Sequence, residues 1–268
     1  MDEDIRNFTV CAQLMIHTFR GTLRNSFATM HQLLLDGEAA VFSPASIDGL
    51  VAWWDFSDPT TLFTDAGATP VSNDGDLIYQ ANDKSANGFN VRQLTAANRP
   101  IYKINIQNGL SIGRDTDALR SLTSQGIKNL TQAQPFTLVA VVSYNGFSGY
   151  VTGCEHDSVR ALRLISGNDF FVWCGSTWVD YSFNISLDTF YVIAEIIYGA
   201  GSYHRVNGVV GNTGNPGSNS YSSKYLIVFK AKESFRGDIG ELMIYDGELS
   251  SEEFSSLEIH LNSKWSVF

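Results

Sequence analysis

The stretch Phe136–Tyr144 reads FTLVAVVSY, and it decides the fold class. In an extended strand the even-numbered residues from Phe136 to Val142 share one face, and Val139 and Val141 share the other. Both faces are therefore apolar. Such a strand is typical of the middle of a sheet that is packed on both sides. The stretch predicts a central strand of a layered β protein.

Further short strands are predicted on both sides of this one. Turn-forming pairs such as Asn145-Gly146 and Asp246-Gly247 separate them. The candidates are Leu50–Phe56, Phe170–Cys174, Trp178–Phe183, Phe190–Tyr198, Tyr203–Asn207, Tyr225–Phe229 and Ile239–Tyr245. Many short strands without helices between them predict an all-β sandwich of antiparallel sheets. Residues 211–223, rich in Gly, Asn and Ser, are interpreted as a long loop.

A short helix is predicted at the C-terminal end. Ser250 and Glu253 have the spacing of a capping box, and Leu249 and Phe254 flank that cap as a hydrophobic staple. The apolar stripe of this helix consists of Phe254, Leu257, Leu261 and Trp265.

Residues 1–36 have a different pattern. Apolar side chains recur at steps of three and four, which predicts a helical arm. They include Ile5, Phe8, Met15, Phe19, Leu23 and Phe27. Alternation over residues 8–16 leaves a strand there as an alternative. An arm this apolar must pack on the sandwich, on a second copy of the chain or on another protein. We therefore divide the chain into an arm and linker, 1–42, and a sandwich, 43–268.

Composition limits the partners and the compartment. The chain has 268 residues, a net charge of -10 and a pI of about 4.9, with no basic stripe, so nucleic acid is not expected as a partner. No apolar run approaches the ~18 residues of a membrane span. The acidic start, Met-Asp-Glu-Asp, is unlike a signal peptide and predicts synthesis in the cytoplasm. Cys154 and Cys174 either pair across neighbouring strands or remain buried thiols.

Several segments, in order, resemble those of laminin-G-like domains, which are concanavalin-A-like jelly rolls. Gly49–Phe56 resembles the opening strand, Asp83–Gly88 a characteristic turn, Tyr203–Val209 a later strand and turn, and Phe235–Glu253 the closing segment. The resemblance covers residues 47–268. It implies a two-sheet antiparallel jelly roll whose last strand lies beside the first, which would cover an exposed sheet edge.

The resemblance also suggests a setting. Domains of this kind occur in phage virion proteins and in secreted bacterial proteins, where they often contact glycans or other proteins. Fold alone does not decide function. Aromatic platforms bind sugars, and Trp178 and Tyr181 are candidates for one, while Trp173 is expected in the core. His156 and Asp157 belong to the one polar cluster whose side chains could take part in chemistry, although we favour a plain loop there.

Catalysis is not expected. The paired carboxylates of jelly-roll glycosidases, spaced E-x-D-x-x-E, are missing from the sequence. Asp238 and Glu241 are three residues apart, which predicts that they point to opposite faces of a strand. No catalytic residue is therefore assigned.

No cofactor or metal site is assigned either. Calcium is the usual metal of the resembled family, and two groups of aspartates, Asp74, Asp76 and Asp83 and the pair Asp115 and Asp117, lie in loop-rich stretches. Neither group matches a defined calcium loop.

Three functions follow, in decreasing order of support. The first is a non-enzymatic structural or display protein on the surface of a phage particle. Its arm, residues 1–36, would hold it to other virion proteins or to further copies of itself, and its jelly roll would face outward and recognise glycans or the host surface. The second is a free, lectin-like carbohydrate-binding module of a bacterial protein. The third is a polysaccharide hydrolase or lyase.

Overall fold

The computed structural model of the protein describes residues 42–66, 69–117, 119–146, 149–154, 160–165, 169–176, 179–180, 183–224, 226–229 and 235–268. Ser43–Phe268 is one compact unit. The predicted N-terminal arm, with Ile5, Phe8, Met15, Phe19, Leu23 and Phe27, lies outside the described residues. Its helical and strand interpretations both stay predictions.

The described chain is built mainly of strands. They are β1 Leu50–Asp55, β2 Leu62–Phe63, β3 Gln80–Ala81, β4 Val91–Arg92, β5 Ile101–Gln107, β6 Leu110–Asp115, β7 Leu122–Thr123, β8 Leu130–Gln132, β9 Phe136–Tyr144, β10 Tyr150–Cys154, β11 Arg160–Ile165, β12 Asp169–Trp173, β13 Val179–Asp180, β14 Phe190–Ile197, β15 Ser202–Val206, β16 Val209–Gly214, β17 Tyr221–Lys224, β18 Leu226–Val228 and β19 Gly237–Asp246. Helix α1 spans Ser251–Trp265, and single 3-10 turns lie at Pro44–Ser46, Pro59–Thr61, Ala96–Asn98 and Gly199–Gly201.

Two antiparallel sheets form the sandwich, as predicted. Within the described residues the eight-stranded sheet has the order β16-β15-β14-β9-β19-β6-β5, and β1 pairs with β19. The nine-stranded sheet has the order β13-β12-β11-β10-β18-β7-β4-β3-β2. The pairing of β1 with β19 joins the first strand of the sandwich to the last, as the resemblance implied.

The central strand β9 is buried along its whole length. Leu138, Ala140 and Val142 belong to the core between the two sheets. The opposite face of the eight-stranded sheet is covered by α1, where the indole of Trp265 stacks on Phe190 with ring centroids 6.4 Å apart. A sheet sandwiched between a second sheet and a helix needs apolar residues on both faces, which explains the unbroken apolar run of β9.

Helix α1 begins as the sequence predicts. Ser250 Oγ accepts a hydrogen bond from the backbone N–H of Glu253, and a Glu253 carboxylate oxygen accepts one from the backbone N–H of Ser250. Leu249 and Phe254 are both buried beside this cap. Among the described residues, no helix is long and apolar enough to cross a membrane.

One interpretation of the sequence is corrected, and one open alternative is decided. Residues 211–223 are not one loop, because β16 continues to Gly214 and the strand Tyr221–Lys224 pairs with Leu130–Gln132. Cys154 and Cys174 do not lie on neighbouring strands, because β11 runs between β10 and β12. Two strand spacings are about 9.6 Å, which exceeds the Cα separation of a disulfide. Cys174 is buried in the core.

Candidate functional site

A row of directly opposed residues crosses the nine-stranded sheet. Eight strands contribute one residue each, because each pairing places one residue opposite the next. In order across the sheet these residues are Phe63, Gln80, Arg92, Thr123, Ile227, Gly153, Arg160 and Trp173. We call them the transverse row.

The transverse row lies on the outer face of the sheet. Six of its residues have strand neighbours that point into the core; these neighbours are Leu62, Ala81, Val91, Leu122, Leu226, Val228 and Val172. The alternation of side chains along a strand therefore turns these six row residues away from the core. Phe63, Gln80, Arg92, Thr123, Ile227 and Trp173 are each half-buried, in contrast to those core neighbours.

The row is long and chemically mixed. Seven strand spacings separate Phe63 from Trp173, a distance of about 34 Å. Aromatic rings stand at its two ends. The polar side chains of Gln80, Arg92 and Thr123 and the apolar side chain of Ile227 lie between them, and Gly153 leaves a position without a side chain. A long, shallow strip of this composition suits an extended polar ligand that also offers apolar faces for ring contacts.

Trp173 corrects a prediction. The apolar strand Phe170–Cys174 suggested that Trp173 packs in the core. In the structure Val172 and Cys174 are core residues, so Trp173 between them faces outward. Its indole is half-buried on the outer face of β12. A Trp in that position offers a ring face to a ligand.

Arg92 is the third residue of the row. Among the described residues no carboxylate pairs with its guanidinium. A Cβ placed on Gly126 would lie 3.5 Å from a terminal guanidinium nitrogen of Arg92, so this glycine borders the arginine. Of the other half-buried arginines described, Arg114 pairs with Asp238, Arg120 with Asp117 and Arg205 with Glu258, whereas Arg99 donates to backbone carbonyl oxygens.

The site residues named from the sequence are untested. Trp178, Tyr181, His156 and Asp157 lie outside the described residues. In sequence, Trp178 and Tyr181 flank the edge strand β13, Val179–Asp180. The role of Trp178 and Tyr181 as a sugar platform stays a prediction, and so does a role for His156 and Asp157.

A second polar cluster lies under α1, where a bulge corrects the prediction for Asp238 and Glu241. The register of β19 against β9 shifts between Ile239 and Glu241, so Asp238 lies opposite Ser143 and Glu241 opposite Val141. The extra residue, Gly240, restores both carboxylates to one face. Sequence spacing alone assumes an unbroken strand and missed this.

Glu241 is the centre of that cluster. Its carboxylate accepts hydrogen bonds from the indole Nε1 of Trp53 at 2.9 Å and of Trp265 at 2.8 Å. Nζ of Lys264 lies 2.8 Å from Glu241 Oε1 and 2.8 Å from Asp55 Oδ2. Burial raises the pKa of Glu241, and the nearby Asp55 adds to that rise, while Lys264 opposes it.

Asp55 is also bound by Lys84, at 3.0 Å. Burial raises its pKa, but Lys264 and Lys84 more than offset this, so the pKa of Asp55 is lowered overall. Asp238 is held separately by a bidentate pair with Arg114, at 2.6 and 2.8 Å. These carboxylates are buried and bound to cations or indoles, so the cluster fastens α1 and β1 to β19.

The aspartates considered as calcium ligands accept hydrogen bonds from backbone N–H groups in turns or pair with cationic side chains. Asp76 accepts the backbone N–H groups of Ser72 and Asn73. Asp83 accepts those of Trp53, Ser85 and Phe89. Asp74 pairs with Lys103. Asp115 accepts the backbone N–H groups of Asp117 and Arg120, and Asp117 pairs with Arg120. Across the described segments, no group of three His, Cys, Asp or Glu residues is arranged to hold a metal ion.

One buried pair was missed by the sequence analysis. Glu195 on β14 lies opposite His204 on β15, with Oε1 and Nε2 3.2 Å apart, and both side chains are fully buried. Burial, with the charge of Glu195, raises the pKa of Tyr144 well above its ordinary value. The sequence signal for this pair is a single acidic residue, Glu195, within the apolar strand Phe190–Ile197.

Comparison with known proteins supports the fold. No protein-family model and no curated protein matches the chain. One similar solved structure is domain 4 of AbnA, a GH43 extracellular arabinanase from Geobacillus stearothermophilus, in complex with arabinotriose. It is 14% identical, with 78% of this chain and 98% of that chain covered and a TM-score of 0.55.

Another is a GH54 α-L-arabinofuranosidase soaked with a cyclic sulfate inhibitor. It is 13% identical, with 83% of this chain and 60% of that chain covered and a TM-score of 0.54. The chain thus spans less than two thirds of this second protein. At such identities the likeness shows the fold alone. It is consistent with the concanavalin-A-like jelly roll that the sequence predicts.

Proposed function

We propose that residues 43–268 form a glycan-binding module, and that residues 1–36 anchor this module to a phage particle so that the sandwich faces outward. The observation that carries the glycan part is the transverse row. Its half-buried aromatic ends, Phe63 and Trp173, can contact sugar ring faces, and Gln80, Arg92 and Thr123 between them can bind hydroxyl groups.

The comparison with AbnA domain 4 supports this proposal. That domain is covered over 98% of its length, and it was solved with a bound trisaccharide. The part of this chain that resembles it therefore corresponds in extent to that whole domain, which supports a binding module as the proposed unit. The sugar that this chain binds is a separate question.

A binding role is favoured over a catalytic role. Asp55, Asp238 and Glu241 share the face of the eight-stranded sheet that α1 covers, and each is bound by a cation. The transverse row lies on the other sheet. Around the row, the described positions supply arginine, glutamine and threonine rather than a pair of carboxylates.

Display on a particle is supported by the sequence of residues 1–36. Its apolar stripe, with Phe8, Met15, Phe19 and Leu23 among its members, needs a partner surface. We assign that surface to another virion protein or to further copies of the chain. The virion surface is accordingly the proposed location.

The test of glycan binding is a panel of plant, bacterial and capsular polysaccharides, with the full chain and two variants. Trp173→Ala should lower affinity for any bound glycan about tenfold or more, because a ring contact is removed. Phe268→Ala removes an aromatic side chain that is 54% exposed and lies at the C-terminus, and it should bind like the wild type.

Reducing-sugar release in the same samples tests the enzymatic alternative. Binding without turnover supports the module, and steady turnover would overturn the non-catalytic role. Failure of the wild-type chain to bind any member of the panel would overturn the glycan proposal itself.

A further inference from the structure

We propose that Lys264 of α1 and Asp55 of β1 condense to an amide, which links the C-terminal helix covalently to the first strand of the sandwich. The amide joins Nζ of Lys264 to Cγ of Asp55 and releases one water molecule, so the step needs no other reactant. The two residues are 209 positions apart, and the bond therefore closes a covalent loop around almost the whole sandwich. The proposal is carried by the geometry of the cluster under α1 and is independent of glycan binding.

The amine of Lys264 lies between two carboxyl groups. Its Nζ is 2.8 Å from Asp55 Oδ2 and 2.8 Å from Glu241 Oε1. Both acids are buried, and the indole ring of Trp265 lies beside the amine, with its centroid 5.4 Å from Nζ. Holding an amine and a carboxyl group together in this way makes the condensation intramolecular, which removes much of its barrier.

The carboxyl group of Asp55 is held in a way that suits nucleophilic attack. Its Oδ1 accepts hydrogen bonds from the backbone N–H of Ser57 at 3.0 Å and from the Ser57 hydroxyl at 2.6 Å. When Nζ attacks Cγ, negative charge develops on Oδ1, and these two donors are in place to stabilise it. Nζ of Lys84, 3.0 Å from Oδ2, adds a second cation beside the same carboxyl group.

Glu241 is placed to carry protons. Burial raises the pKa of its carboxyl group, and Asp55 adds to that rise, so Glu241 accepts and returns a proton closer to neutral pH than an ordinary glutamate. Burial lowers the pKa of Lys264, but Glu241 and Asp55 more than offset this, so the pKa of Lys264 is raised. The neutral amine is therefore a minor form, and we expect the condensation to be slow.

The protons and electrons of the step balance. One proton passes from the Lys264 ammonium group to Oδ2 of Asp55, which leaves an amine and a carboxylic acid. The Nζ lone pair attacks Cγ and forms the C–N bond. Glu241 takes a second proton from Nζ and returns it to Oδ2, the C–O bond breaks, and Oδ2 leaves as water while the C=O bond to Oδ1 re-forms. Lys264 is half-buried, so the water has a route to solvent.

The other lysine–aspartate pairs in the described part of the chain lack this arrangement. Lys103 pairs with Asp74, whose side chain is 43% exposed. Lys84 bridges two aspartates, and the second of them, Asp58, is 27% exposed. Of these three lysines, Lys264 is the one bonded to a second carboxyl group that is fully buried. The proposal is therefore specific to the cluster under α1.

The test is the intact mass of the full-length protein, followed over time at neutral pH. The wild type should lose the mass of one water molecule. Tandem mass spectrometry should locate an amide between the peptides that carry Asp55 and Lys264. Asp55→Asn should lose the mass of one ammonia molecule instead, because the leaving group changes.

Three variants separate the roles within the cluster. Lys264→Arg keeps the cation and should keep its full mass. Glu241→Gln should form the amide about tenfold more slowly or less, because it removes the proton carrier. Lys103→Arg is the matched control, because it changes the exposed pair with Asp74 and should react like the wild type. Circular dichroism checks that each variant is folded.

A wild-type mass that stays at the value given by the sequence would overturn the proposal, whatever the variants do. A water loss that persists in Lys264→Arg, or that lies within a single peptide, would overturn the link between Lys264 and Asp55. So would an amide to Glu241 or from Lys84. An unchanged rate in folded Glu241→Gln would overturn the role of Glu241.

Discussion

The indole Nε1 of Trp265 donates a hydrogen bond of 2.8 Å to Glu241, and this bond joins the terminal helix to the last strand of the sandwich. Trp53 of β1 donates to the other oxygen of the same carboxylate, at 2.9 Å. One buried acid therefore connects the first strand, the last strand and the helix. The closing segment Phe235–Glu253 and the strand Gly49–Phe56 are linked through it.

Glu241→Ala should destabilise the domain by about 3–5 kcal/mol, because it leaves two buried indole N–H groups and Lys264 without a shared partner. Urea unfolding measures this loss. Glu241→Gln, which keeps one acceptor oxygen, should lose less. Glu252→Gln on the exposed side of α1 should lose less than about 1 kcal/mol. An equal loss in the Ala variant and the Glu252 control would contradict this role.

Gly240→Ala should destabilise the domain by about 1–3 kcal/mol, because an added Cβ would lie 2.7 Å from the benzene ring of Trp265. The cause is steric contact with that ring. The smaller ring of Trp265→Phe should therefore reduce the effect of the glycine substitution. A double-mutant cycle measures the coupling. Additive losses in the two single variants would show that the contact is not the cause.

Asp115 should give the domain an unusual pH dependence. Burial, with the contact to Asp117, raises the pKa of the Asp115 carboxyl to about 6 from 3.8. Because the folded state then binds the proton more tightly than the unfolded state, the contribution of this group is greatest below about pH 4. This stabilisation of the folded state is lost as the pH rises from about 4 to about 6. Each unit by which the pKa is raised corresponds to a loss of up to ~1.4 kcal/mol.

Carboxyl NMR titration should place the Asp115 midpoint near 6. In urea unfolding, Asp115→Asn should remove the part of the pH dependence between pH 4 and 6 that this group causes. The carboxyl groups of Asp58 and Asp76, whose pKa values are lowered, act in the opposite direction and serve as internal controls. A midpoint near 4 for Asp115 would contradict the expectation.

Assembly should depend on residues 1–42. We expect the full chain to form a defined oligomer or to aggregate, because its apolar stripe needs a partner. A chain that starts at Ser43 should be a monomer, since Ser43–Phe268 is compact by itself. Light scattering of both chains measures this. Two monomers would mean that the stripe packs on its own sandwich, and the particle proposal would lose its main support.

Local patterns predicted much of the fold. The apolar run of β9 and the capping box at Ser250 each depend on residues close in sequence, and both predictions are confirmed. The resemblance to laminin-G-like domains also implied the pairing of β1 with β19, which the structure contains. The short strands β2, β3, β4 and β7 were missed, because two residues are too few to show a period.

The candidate site could not be predicted in the same way. The transverse row collects residues from Phe63 to Ile227 through seven strand registers, and sequence spacing contains no information on how distant strands align. Trp173 was misassigned because an apolar strand was read as wholly internal. Asp238 and Glu241 were assigned to opposite faces because the bulge at Gly240 breaks the two-residue period.

The central claim is that glycans bind on the outer face of the nine-stranded sheet. The most direct test is an NMR titration of the 43–268 domain with a polysaccharide fragment that the full chain binds. We predict that backbone amide shifts will concentrate at Gln80, Arg92, Thr123, Ile227 and Trp173. Shifts confined to α1, to the eight-stranded sheet or to the loops at the ends of the sandwich would contradict the claim.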